Sequence, residues 1–124
     1  MHDPIFRPAK TTLRLVGATL LLGANPATAH HSFALFDQTK SVRLEGTVKQ
    51  FDWTNPHSWI HLAVVGANNQ TEEWLIELPA SAALAREGWN KNYLRPGERI
   101  SVQVSPLKNG MKGGALQNFR EKAE

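Results

Sequence analysis

Two histidines, His30 and His31, follow the tripeptide Ala27-Thr28-Ala29. A cut after Ala29 makes His30 the first residue and joins an α-amino nitrogen and an imidazole on one residue. Those nitrogens chelate a metal as a pair, and one further imidazole completes a three-nitrogen set suited to copper. The α-amino group and the imidazole titrate near about 8 and about 6.5, so both shed protons around neutral pH. His57 supplies the third nitrogen if the arm folds back over the Asn55-Pro56 turn, and His31 is the adjacent candidate. The same pair also reads as a solvated polar arm. His57 and His61 share parity along a strand, but four residues at about 3.3 Å each set them roughly 13 Å apart. At most one of them joins His30, and a turn is better placed than a strand to aim its side chain at an arm.

Aromatic residues offer a second, metal-free chemistry. Trp53 and Trp59 flank the Asn55-Pro56-His57 turn, and Trp59 shares a strand face with His61. Trp53, Asn55, Trp59 and His61 therefore form a candidate ligand surface for a glycan, a peptide or an envelope protein, since small barrels bind such ligands through exposed rings. Trp74 alternates with Ile76 and Leu78 and is expected in the core, and Trp89 is expected to pack the end of a helix. Glu72, Glu73 and Glu77 lie on one strand, with Glu73 and Glu77 on its outer face, where carboxylates are usually only solvated. No nucleophile is spaced for a base, and no Gly-x-Ser-x-Gly or phosphate-cradling glycine loop occurs. The sequence has no cysteine, which excludes thiol redox chemistry and Cys-ligated metals.

These residues need a scaffold, and the first segment addresses it to a compartment. Arg7, Lys10 and Arg14 form a positive region, residues 15–23 an apolar run, and Ala27-Thr28-Ala29 an A-x-A cleavage signal. The apolar run is about half of the roughly 20 residues that span a bilayer. Residues 1–29 thus read as a signal peptide cut after Ala29, with a periplasmic mature chain and no stable membrane insertion after cleavage. The 124 residues carry 14 Lys and Arg against 11 Asp and Glu. Residues 1–29 hold three of those bases and one acid, leaving eleven bases and ten acids in the mature chain. A nucleic-acid binder keeps a basic face after such a subtraction, and this chain does not, so no nucleic-acid partner is expected.

Residues 30–124 read as one small, mainly β domain. Val42, Leu44, Gly46 and Val48 alternate with polar residues, a half-buried strand in which Gly46 suggests a bulge or sharp bend. Asn55-Pro56 breaks the chain. Ser58 to Val65 and Glu72 to Leu78 form two strands around a loop at residues 66–70. Ser81 is expected to cap a helix over Ala82 to Glu87, closed by Gly88. Ile100, Val102 and Val104 mark a fourth strand. Gly110, Gly113 and Gly114 read as turn glycines, and Ala115 to Phe119 as a weak fifth strand. Three strands, a short helix and two strands follow the order of a five-stranded OB-like barrel. A sandwich needs about seven strands.

Across this frame the chain resembles the small secreted bacterial proteins grouped as domain of unknown function 6152. The resemblance rests on His30-His31-Ser32-Phe33-Ala34, Phe36-Asp37, Glu45-Gly46-Thr47-Val48, Trp53-Thr54-Asn55-Pro56-His57-Ser58-Trp59-Ile60, Arg86-Glu87-Gly88-Trp89 and Leu94-Arg95-Pro96-Gly97. It implies a small secreted protein and assigns no activity. The expectation is a non-enzymatic periplasmic binding module, because 95 residues leave little room for a substrate cleft beside a core. Its ligand is a transition metal, copper first, at His30 with His31 or His57. The alternative ligand is an envelope partner or small molecule on the tryptophan surface.

Overall fold

The computed structural model describes residues 33–123. The expected signal peptide and its expected cleavage site, His30 and His31 lie outside the described residues. The elements run β1 Val42–Asp52, β2 Ser58–Val65, β3 Thr71–Leu78, α1 Ser81–Arg86, β4 Arg99–Pro106 and β5 Gly113–Ala123. They close into a barrel in the order β1-β2-β3-β5-β4. All neighbours are antiparallel except β3 and β5. This is the OB-like architecture that the order of elements implies.

Alternation builds the core. Leu44 and Val48 of β1, Ile60 and Leu62 of β2, Ile76 and Leu78 of β3, and Ile100, Val102 and Val104 of β4 are all buried in one cluster. Leu84, the buried residue of α1, and Leu94 join them, so the helix packs on the barrel core through that leucine. Burying an aliphatic side chain of this kind contributes about 1.5–3 kcal/mol.

Four local expectations are corrected. Gly46 is not the bulge, because the β1–β2 register slips between Val48 and Gln50. Gly46 is instead required by crowding, since a Cβ there would lie 2.3 Å from the Ala63 carbonyl oxygen. Ser81 does not cap α1. The cap position is Ala80 without a side-chain bond, and the Ser81 hydroxyl donates to Asn55 Oδ1 at 3.0 Å, tying the helix to the 54–57 turn. Gly113 and Gly114 are strand residues, where a Cβ on Gly114 would meet the Ser105 carbonyl oxygen at 2.8 Å. The fifth strand is also longer than expected. It has 11 residues and pairs with both β4 and β3, which closes the barrel.

The arm before β1 is anchored to the β4–β5 hairpin. Phe36 is buried and bridges Leu107, while Asp37 N–H donates to the Pro106 carbonyl and Lys108 N–H to the Leu35 carbonyl. Asp37 secures the next turn by accepting from the Thr39 hydroxyl at 2.6 Å and pairing with Lys40 at 3.0 Å. Thr39 first and Lys40 second hold its carboxyl down at about 2.

Candidate functional site

The turn between β1 and β2 sets the position of His57. Asn55-Pro56 is a cis peptide, and the Thr54 hydroxyl donates to the His57 carbonyl at 2.6 Å. Ser58, fully buried one residue on, donates its hydroxyl to the Thr54 carbonyl. The register then pairs Ser58 with Leu78 and Trp59 with Glu77. As a result Glu77 faces His57, with Oε1 3.1 Å from Nδ1. A metal-binding histidine commonly offers its second ring nitrogen to a carboxylate, which fixes the tautomer and orients the ring. With Nδ1 turned to Glu77, Nε2 is the nitrogen available for a metal. Glu77 is not a solvated outer-face carboxylate, because its side chain is only 12% exposed.

His57 and Glu77 line a small, mostly apolar pocket of about 220 Å³ with Leu78, Pro79, Ala115 and Leu116, and Phe33 completes its wall. Phe33 stands three residues after His30. The described end of the arm and the turn histidine thus share one pocket. Among the described residues no group of three or more His, Cys, Asp or Glu side chains could hold a metal ion.

His61 is held elsewhere. Its Nε2 lies 3.3 Å from Asp52 Oδ2 and its Nδ1 3.1 Å from Glu73 Oε1, so carboxylates engage both nitrogens. Glu73 also pairs with Lys49 at 2.6 Å, and Lys49 first, then His61, lower the affinity of its carboxyl for a proton. This network laces the outer face of β1, β2 and β3 and does not bring His61 to His57.

The expected tryptophan surface is divided. Trp53 packs against the core with Phe51 edge-on at 5.9 Å. Trp59 stands beside His57, with ring centroids 6.4 Å apart. Asn55 accepts from Ser81 and supports the turn. Trp74 packs against the core, as its alternation predicts. Sequence reasoning missed a second aromatic group, in which Trp89 stacks on Tyr93 at 4.0 Å and Phe119 meets both rings edge-on. Trp89 and Tyr93 are near each other in sequence, but Phe119 is distant from both, and only the closure of the barrel by β5 brings it to them.

The fold and these sites define a small OB-like barrel with a turn histidine backed by a carboxylate. Residues 18–117 match the family of unknown function DUF6152, and the chain belongs to that family. None of the curated proteins matches it. Among solved structures it is similar to the mitochondrial single-stranded DNA-binding protein Rim1 of S. cerevisiae. One Rim1 crystal gives a TM-score of 0.51 at 12% identity, covering 68% of this chain and 94% of that one. A second gives 0.49 at 12% identity, covering 65% and 91%. At such identity the likeness shows the fold alone. No helix among the described residues is long and apolar enough to cross a membrane.

Proposed function

We propose that the protein is an exported, non-enzymatic binding module that holds a transition metal, copper first, at the mature N-terminus. His30 supplies its α-amino and ring nitrogens, and His57 supplies Nε2, with His31 the neighbouring candidate. The observation that carries this reading is the shared pocket of Phe33, His57 and Glu77. Extended backbone covers about 3.3 Å per residue, so His30 has a reach of roughly 10 Å from Phe33. Glu77 orients the His57 ring and favours the tautomer that leaves Nε2 as a ligand. A bound copper would supply a Lewis-acidic or redox centre. The chain's own part is to hold three nitrogens and to place an apolar pocket beside them.

The test is copper titration of the protein cut after Ala29 against a form that retains one residue before His30. Binding tighter than micromolar in the cut form alone supports the reading, because the extension converts the chelating amine into an amide. Equal and weak binding in both forms overturns it.

A further inference from the structure

The backbone closes the end of α1. Gly88 takes a positive φ of 89°, its N–H reaches the Ala85 carbonyl at 3.1 Å, and Trp89 N–H reaches the Leu84 carbonyl at 3.1 Å. This is the Schellman ending, in which a glycine at positive φ turns the chain and brings the next side chain back to the last helical turn. Glu87 and Trp89 leave the helix on either side of Gly88, and both line a groove of about 370 Å³. Its other wall is β5. An extra residue at Gln117 interrupts the register with β4, so Leu116 and Phe119, three positions apart, both pack against the core. Pro79, Leu84 and Leu116 supply the aliphatic lining, and Trp89, Tyr93 and Phe119 the rings.

The polar groups of the lining decide what fits. Gln117 is committed to the fold, since its Nε2 donates to Ser105 Oγ at 2.7 Å and to the Lys40 carbonyl at 3.2 Å, and its Oε1 accepts from Ser41 at 2.6 Å. Glu87 and Asn118 are exposed, and among the described residues no hydrogen bond or ion pair engages either side chain. Glu87 is the only charged side chain in the lining. Exposed Arg86 and Lys91 lie outside it, and Lys122 pairs with Glu98 at 3.3 Å.

An anion in this groove meets an unpaired carboxylate and no cation. A neutral apolar ligand strips water from that carboxylate and gives it no partner, which is costly. A cation pairs with it. The rings favour the same choice, because aromatic faces attract ammonium groups. They already hold one on the chain itself, where Lys122 Nζ lies 5.0 Å from the Tyr93 ring centroid and donates to the Tyr93 carbonyl.

We propose that this groove is a binding site for a small organic ammonium compound, with its charged head on the Glu87 carboxylate and Asn118 Oδ1 and its carbon body against Leu84, Leu116 and the rings. The groove's size falls at the lower end of small-molecule pockets, which span about 300–1,000 Å³. It shares Pro79 and Leu116 with the His57 pocket but includes neither His57 nor Glu77, and it needs no metal.

The test titrates the chelator-treated protein with phenethylammonium, beside its neutral counterpart phenethyl alcohol and its anionic counterpart hydrocinnamate. Trp fluorescence and backbone amide chemical shifts follow the binding. The expected result is saturable binding of the ammonium, with shifts at Glu87 to Tyr93 and at Leu116 to Phe119. Its affinity is expected to exceed that of either counterpart by about tenfold, the scale of one hydrogen bond to a charged group. Glu87→Gln is expected to remove that advantage and to leave phenethyl alcohol binding and the melting temperature unchanged. Glu87→Lys is expected to turn preference toward hydrocinnamate. Equal affinity for the three compounds, or an ammonium preference that survives Glu87→Gln, overturns the charged contact. Shifts at His57 and Glu77 in place of the groove residues overturn the location. Absence of saturable ammonium binding at millimolar concentration, or tighter binding of acetyl-Gly-Lys-Gly-amide than of phenethylammonium, overturns the small-ligand site as a whole.

Discussion

Glu77 Oε1 lies 3.1 Å from His57 Nδ1, and the cross-strand pairing of Trp59 with Glu77 puts it there. The contact links the turn before β2 to the far end of β3, so the ring orientation is set by strand register as well as by the turn. Glu77→Gln keeps the shape and removes the charge. Outer-shell partners of this kind contribute about 10–100-fold in metal affinity. The variant is expected to lose copper affinity in that range in the cut protein, with an unchanged melting temperature. Competition titration beside a thermal melt checks both halves.

Gly46 bears on the barrel's geometry. A Cβ at this position meets the Ala63 carbonyl oxygen at 2.3 Å and Leu62 Cγ at 2.9 Å, and the main chain of β2 cannot yield without disturbing the β1–β2 pairing. Overpacking of this kind costs about 1–3 kcal/mol. Gly46→Ala is expected to destabilise the fold by about that amount, read from the midpoint of denaturant unfolding. The structural reason is close approach of two strands, so Gly46→Ser should behave no better.

The same glycine shows where sequence reasoning stops. Alternation in β1 to β4 identifies the core, because burial of Leu44, Ile60, Ile76 and Val102 depends on strand parity and little else. A glycine within a strand carries no mark that separates a bulge from a close approach, and the extra residue fell instead at Lys49, where the consecutive polar pair Lys49-Gln50 breaks the alternation between Val48 and Phe51. Gly113 and Gly114 read as turn residues and Ala115 to Phe119 as a weak strand, yet partners on both sides carry β5 from Gly113 to Ala123. His57 was legible as a candidate from its turn. Glu77 was not, since its partner depends on a cross-strand register that no local pattern specifies. The Trp89, Tyr93 and Phe119 group was equally hidden, as it joins segments on opposite sides of β4.

Leu62 is fully buried at the centre of β2, with core residues of β1 and β3 around it. Leu62→Ala is expected to cost about 2–5 kcal/mol, the range for emptying a buried leucine site. His61→Ala, one residue away on the outer face, breaks two carboxylate contacts at half-exposed positions and is expected to cost under about 1 kcal/mol. Paired urea titrations of the two variants separate the inner face of the strand from the outer.

The arm carries its own pH dependence. The Thr39 hydroxyl and then Lys40 hold the Asp37 carboxyl at about 2, below its ordinary 3.8. A depressed carboxylate contributes stability that is present above the unfolded value and is lost as pH falls through the folded one. The anchoring of the turn at residues 37–40 is therefore expected to persist at pH 5 and to fade between about pH 4 and pH 2. The amide of Thr39, which donates to Asp37 Oδ1, reports this directly by its chemical shift. Asp37→Asn should remove the transition from that amide and leave the core strands unaffected at pH 5.

Phe33 tests whether the arm and the turn histidine act together. Its side chain is 63% exposed, so it contributes little to the fold, yet it lines the pocket that contains His57 and Glu77. Phe36, three residues on, is buried and anchors the arm to the β4–β5 hairpin. The two aromatics therefore predict different losses. Phe36→Ala is expected to lower thermal stability, because it empties a buried site and frees the arm at its root. Phe33→Ala is expected to leave the melting temperature in place and to weaken copper binding by about tenfold, since the arm must then order without its wall contact. Equal copper affinity in wild type and Phe33→Ala would separate the arm from the pocket, and the His57 contribution to the metal site would fall with it.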